Sequence, residues 1–196
     1  MGYRELSPVE FDALREMSNI GAGHAATALS QMLGKAVSLK VPSVRTLAFK
    51  DVPQTVGGSE SPVVGLFMRV YGDTQGHVLL IIPQDSAASL LESLMGRAPE
   101  REAFYEKLEL QTMQESALKE VGNILAGAFL STLSKALNIN LVPGVPGFAY
   151  DMAGAVLDAL FIELGQTGDT ALLIETEFLD TAKRVRGHFF LIPDPQ

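Results

Sequence analysis

A block of about thirty residues occurs twice in this 196-residue chain, displaced by 104 positions. Asp12, Glu16, Asn19 and Pro42 in the first copy align with Ser116, Glu120, Asn123 and Pro146 in the second, with 22 residues between Asn and Pro each time. Within the windows 12–42 and 116–146, Ala13, Leu14, Glu16, Asn19, Ile20, Ala22, Gly23, Leu29, Ser30, Leu33, Val41 and Pro42 all have identical counterparts. Matching apolar positions follow whenever two halves share one core. A carboxylate and an amide kept at fixed spacing have no packing reason to match, so the repeat constrains both the fold and the search for function.

The repeat predicts one domain over 1–196 built from two similar halves, about 7–83 and about 105–193. Ser7-Pro8-Val9-Glu10 reads as a helix start, with Ser7 as cap, Pro8 at the first helical position and Glu10 closing a capping box. Phe11, Leu14, Ile20, Leu29 and Leu33 continue at helical spacing, and Gly34 offers a left-handed stop that Asn138 can supply in the second copy. Long helices are therefore expected near 8–33 and 105–137, with a shorter linking helix near 85–95, capped by Asp85 and stopped by Gly96. Strands are expected at Arg45–Val52, Val63–Tyr71 and His77–Ile82, then at Val156–Leu164, Ala171–Phe178 and His188–Ile192. The order α-βββ-α-α-βββ with short links implies an α+β fold: two pseudo-symmetric α-βββ halves joined by a helix, the long helices packed on an antiparallel-rich sheet.

Composition narrows the function classes. Fifteen Lys and Arg against 23 Asp and Glu leave a net charge of −8, which disfavours general nucleic-acid binding because that rests on neutralising phosphates. There is no cysteine, so thiolate nucleophiles, thiolate metal sites and disulfides are excluded, in keeping with a cytoplasmic setting. No apolar run approaches a membrane span, and no membrane insertion is expected. His24, His77 and His188 have no metal-ligand spacing. His24 aligns with Ala128, which argues against a shared histidine chemistry and for a partly buried or interface residue.

On a helix, Glu16 and Asn19 at i and i+3, with Asp12 one turn earlier, share a face, and Ser116, Glu120 and Asn123 do the same. An amide can both donate to and accept from a water and so fix its direction of attack, while a carboxylate can pair with a cation or polarise that water. Such a pair suits phosphoryl transfer, in which positioning dominates and metal and cations neutralise charge. Small residues follow each Asn, namely Gly21, Ala22 and Gly23, then Ala126, Gly127 and Ala128. Each helical glycine costs about 1 kcal/mol against alanine. Close approach by a backbone would offset that cost, whether the backbone belongs to the molecule itself or to a docked partner. The Pro is expected to set a turn where the next segment begins.

The doubled pattern Asp/Ser-x3-Glu-x2-Asn-x22-Pro resembles that of the CheC-type chemotaxis phosphatases, a group that includes CheX and FliY. The segments Asn19–Ser30 and Gly122–Gly127 and the order of elements extend the resemblance across nearly the whole chain, and the doubled motif is a specific signal where a single Glu-x2-Asn would carry none. The resemblance implies hydrolysis of the aspartyl phosphate on the response regulator CheY. Asn19 and Asn123 would orient the water, and Glu16 and Glu120 would pair with a lysine of CheY. Asp12, Pro42, Ser116 and Pro146 would complete the motif. No metal or cofactor of its own is implied, since CheY would bring the Mg²⁺, and the deamidase CheD is implied as an activating partner. The alternative is an adaptor that binds CheD and phosphorylated CheY with little activity.

Overall fold

The computed structural model describes residues 6–164, 170–180 and 184–194. Helix α1 spans Pro8–Leu33, and its local chemistry sets both ends. Ser7 Oγ accepts from Glu10 N at 3.3 Å, Glu10 Oε2 accepts from Ser7 N at 2.7 Å, and Gly34 closes the helix at φ 65°. The second long helix, α4 (Thr112–Leu137), ends on Asn138 in the left-handed region at φ 53°. It begins later than the sequence suggests: a π-helical turn occupies Glu102–Glu106, and Leu108, at φ 52°, breaks the path before Gln111 N donates to Gln114 Oε1 at 2.9 Å and opens the helix.

Strand β1 runs Val37–Ala48, followed by a 3₁₀ turn at Phe49–Asp51 and the short helix α2 (Val52–Thr55). The expected strand at Arg45–Val52 is thus shifted. Alternation of buried Leu39 and Val41 with exposed Ser38 and Lys40 starts the strand eight residues earlier, and Pro53 inside the first turn of α2 marks where helical geometry takes over. Strands β2 (Pro62–Gly72) and β3 (Gly76–Pro83) lie where the second and third strands are expected and pair as an antiparallel hairpin. The linking helix α3 (Gln84–Met95) stops at Gly96 as expected, but its cap position is Pro83, and Asp85 lies in the first turn.

The second half departs further from expectation. Short strands β4 (Leu141–Pro143) and β5 (Gly147–Met152) replace a connection, and the expected strand Val156–Leu164 is helix α5 (Ala153–Leu164). An apolar run alone does not distinguish the two states. Burial of Val156, Leu157 and Leu160 under one helical face decides it, because that face packs beneath the sheet. Strands β6 (Thr170–Asp180) and β7 (Arg184–Pro193) complete the described sheet.

Among the described residues all pairings are antiparallel, and the strand order is β1-β6-β7-β3-β2-β4, with β5 also on β2. The β3–β7 pair lies at the centre. Helices α1, α3 and α4 cover one face, where Val78, Leu80 and Ile82 of β3 share one core with Ala22, Leu118 and Leu125. Helices α2 and α5 cover the other, against Leu79 and Ile81. Burial of β3 on both faces explains its unbroken apolar run, Val78–Ile82, and its weak alternation in the sequence. Helix α1 lies beside α4 above the sheet, with Gly21 close against Phe129 and His24 Nδ1 3.5 Å from Thr132 Oγ1, which places His24 at the helix–helix interface.

Candidate active site

Both repeated pairs sit on exposed helix surface. Glu16 and Asn19 face solvent on α1, and Glu120 and Asn123 on α4; Asp12 and Ser116 are exposed as well. The apolar positions between them (Ala22, Ala25 and Leu29; Leu118, Leu125 and Phe129) turn toward the sheet, so amphipathicity alone orients the polar pairs outward.

The 22-residue spacing has a structural cause in the first copy. Asn19 Oδ1 accepts from Val41 N at 3.2 Å, and Asn19 Nδ2 donates to Arg15 O at 3.0 Å. The amide is therefore tied to its own helix and to the strand residue just before Pro42. Strand β1 bulges at this point. Lys40 pairs with Glu177 and Ser43 with Glu175, so Val41 and Pro42 stand opposite the single residue Thr176. A bulge tolerates proline because the ladder needs no N–H there. Pro42 marks a bulge within a continuous strand, in place of the expected turn. The second copy has the same extra residue at the aligned place: Gly144, Val145 and Pro146, between β4 and β5, stand opposite only Met68 and Arg69 of β2.

The two copies differ in how that bulge is held. Gly144 N donates to Arg69 O at 2.7 Å, and the chain then swings so that Val145 is 90% exposed, whereas the aligned Val41 is 3% exposed. Conversely, Pro146 is buried and Pro42 exposed. Among the described residues, Asn123 accepts no hydrogen bond corresponding to that from Val41 N to Asn19 Oδ1.

Two further pairs follow the 104-residue shift without having been singled out from the sequence. Ser30 Oγ accepts from Val37 N at 2.9 Å, and Ser134 Oγ accepts from Leu141 N at 3.0 Å, so each long helix is pinned to the strand after it by an equivalent serine. Their identity in the repeat was the available signal. Arg15 and Lys119, also aligned, precede the two glutamates. Arg15 is ion-paired with Asp12 at 3.0 Å and Lys119 with Glu115 at 2.6 Å, and the Lys119 ammonium stands 5.8 Å from the centre of the Phe148 ring. Asp12 thus engages a neighbouring cation. Among the described residues neither Glu16 nor Glu120 is ion-paired, so both carboxylates are open to a cation from outside. No group of three or more His, Asp or Glu side chains among the described residues converges as a metal site. No described helix is long and apolar enough to cross a membrane.

An antiparallel sheet covered on one face by two long helices, each presenting an exposed Glu/Asn pair and each followed in sequence by a proline-containing bulge, defines the class of molecule. The family model of the CheC-like family matches residues 9–45 and 113–150, the two helix–bulge blocks just described. The chain is 36% identical to the CheY-P phosphatase CheC of Bacillus subtilis, over 98% of this chain and 91% of that one, and it belongs to the CheC-like family. The fold is that of Thermotoga maritima FliY (TM-score 0.76, 24% identity, 97% of this chain and 92% of that one). It is also similar to CheX in the CheX–CheY–BeF3–Mg²⁺ complex of Borrelia burgdorferi (TM-score 0.54, 16% identity, 95% and 99% coverage).

Proposed function

We propose that this protein is a phosphatase for the aspartyl phosphate of the response regulator CheY, acting through Glu16/Asn19 and Glu120/Asn123. The observation that carries the reading is the setting of the Asn19 amide. With Oδ1 held by Val41 N and Nδ2 by Arg15 O, the amide keeps one N–H and one oxygen lone pair for a solvent molecule, in an orientation fixed before substrate arrives. The name carried by the Bacillus subtilis relative supports the same substrate.

In this reading the regulator brings the phosphoryl group and its own Mg²⁺, which neutralises phosphate charge. Glu16 and Glu120 receive a lysine of the regulator, their own helices' cations being engaged by Asp12 and Glu115. The amide of Asn19 or Asn123 aligns a water behind the phosphorus. The water oxygen forms the new P–O bond while the bond to the aspartyl oxygen breaks, and the aspartate leaves with that electron pair. The water's protons pass to phosphate and solvent, releasing inorganic phosphate and the free carboxylate. The 7–83 and 105–193 halves act as two sites of one domain, in the cytoplasm, with CheD as an activating partner.

Catalysed decay of phosphorylated CheY tests the reading. Removal of both amides in an Asn19→Ala/Asn123→Ala protein should lower the stimulated rate by about 10²–10⁴, the loss that accompanies a mispositioned reactant. A folded double variant with parental activity would leave an adaptor that binds the regulator without hydrolysing its phosphate.

A further inference from the structure

Four glycines interrupt the two long helices, Gly21 and Gly23 in α1 and Gly122 and Gly127 in α4. Two of them serve the interior. A methyl group on Gly21 would stand 3.2 Å from Phe129 Cα, and one on Gly122 would stand 2.8 Å from Leu66 Cδ1. Those two occupy non-equivalent places in the repeat, since Gly21 aligns with Leu125 and Gly122 with Ser18. Gly23 and Gly127 do align, and a methyl group on either would meet nothing within 4 Å beyond its chain neighbours and its own helix backbone. Neither has a positive φ. Glycine is thus kept in both copies only at the helix position where the fold does not require it.

That position has a defined relation to the polar pair. At about 100° per residue, Gly23 falls about 20° from Glu16 and about 40° from Asn19, angularly between them and about 6 Å along the axis from Asn19. Gly127 stands in the same relation to Glu120 and Asn123. Each carboxylate–amide pair therefore has a patch of bare helix backbone at its foot.

We propose that Gly23 and Gly127 are specificity-determining residues. Their missing side chains let the phosphate-bearing loop of the phosphorylated regulator settle against helix backbone one turn beyond the amide, on the face that the carboxylate and the amide share. The inference rests on the hydrolytic reading of the Glu/Asn pairs. A methyl group in the gap pushes the incoming loop out by about 1 Å, and a displacement of that size can cost about 10²-fold in rate. Neither glycine touches the core, so filling the gap leaves the fold intact, and alanine strengthens the helix.

Stability and activity are accordingly expected to move in opposite directions. For Gly23→Ala/Gly127→Ala, the melting temperature should rise by about 2–4 °C per substitution, while kcat/KM for phosphorylated CheY falls at least about tenfold. Gly23→Leu/Gly127→Leu, with a larger side chain that is still helix-compatible, should remain folded and lose about 10²-fold or more. A Gly→Ala pair as active as the parent overturns the proposal, and so does a pair whose melting temperature falls along with its activity. The Asn19→Ala/Asn123→Ala protein assayed in parallel separates the two levels. If it is inactive while the glycine variants keep full activity, only the glycine assignment fails. If it retains parental activity, the hydrolytic reading fails and takes this inference with it.

Discussion

Asn19→Ala and Asn123→Ala make a matched pair, because each removes an exposed amide from the interior of a 26-residue helix at the same place in the repeat. Alanine should gain up to about 0.7 kcal/mol of helix propensity at both positions. Asn123 makes no hydrogen bond to the bulge among the described residues, so its replacement should be neutral or slightly stabilising. Asn19 accepts the Val41 N–H inside a strand bulge, and Val41 itself is 3% exposed. Losing that acceptor costs about 0.5–1.5 kcal/mol if water reaches the amide and about 1–3 kcal/mol if it does not. The Arg15 carbonyl, which already lies within helix α1, adds little. Subtracting one variant from the other cancels propensity and leaves the bulge bond alone, so Asn19→Ala should be the less stable by about 1–2 kcal/mol, or roughly 2–8 °C in melting temperature for a domain of this size. Urea unfolding at unchanged m, with calorimetry alongside, measures the difference. Equal stabilities within about 0.3 kcal/mol would refute the claim that the first amide is held by β1 and the second is free. An Asn19→Asp variant, which keeps the acceptor, should recover most of the loss.

Ser30→Ala and Ser134→Ala should each cost about 1 kcal/mol, read by urea unfolding, since each strands the amide of Val37 or Leu141 that its hydroxyl serves. Tyr150, whose hydroxyl donates to Phe104 O at 2.6 Å and accepts from Gln84 Nε2 at 2.8 Å, has its pKa pushed up to about 12, chiefly by burial. The folded state thus prefers the neutral phenol, so this contribution is full below pH 10 and is lost as pH rises from about 10 to about 12. Tyr150→Phe should abolish that part of the alkaline decline in denaturation profiles and remove the most alkaline step of the tyrosinate absorbance titration. Titration of the isolated protein with Mg²⁺ in a calorimeter should be flat, the metal arriving with the regulator, and a stoichiometric isotherm would contradict this.

Helix α1 was legible to the residue because its ends are local chemistry. A capping box at Ser7–Glu10 and a left-handed Gly34 need no tertiary partner, and the same holds for the stop at Asn138. The outward placement of Glu16, Asn19, Glu120 and Asn123 followed equally from helical periodicity. The 104-residue shift also matched Ser30 with Ser134, one identity among twelve, and their role as helix–strand pins appeared only once β1 and β4 were in place. Tertiary structure decided what depends on partners distant in sequence. Residues 153–164 became helix rather than strand because β2 was already paired with β5 and the remaining apolar run had to cover the far face of the sheet. The start of β1 at Val37 and the bulge at Pro42 were set by register against β6, about 135 residues away. The inequivalence of the two amides has the same origin. Identical Asn and Val residues recur at identical spacing, but the hydrogen bond from Gly144 to Arg69 redirects the second bulge, and Val145 turns to solvent where Val41 turns inward. A repeated sequence specifies repeated local geometry, but whether the two copies make the same contacts depends on the neighbouring strand each one meets.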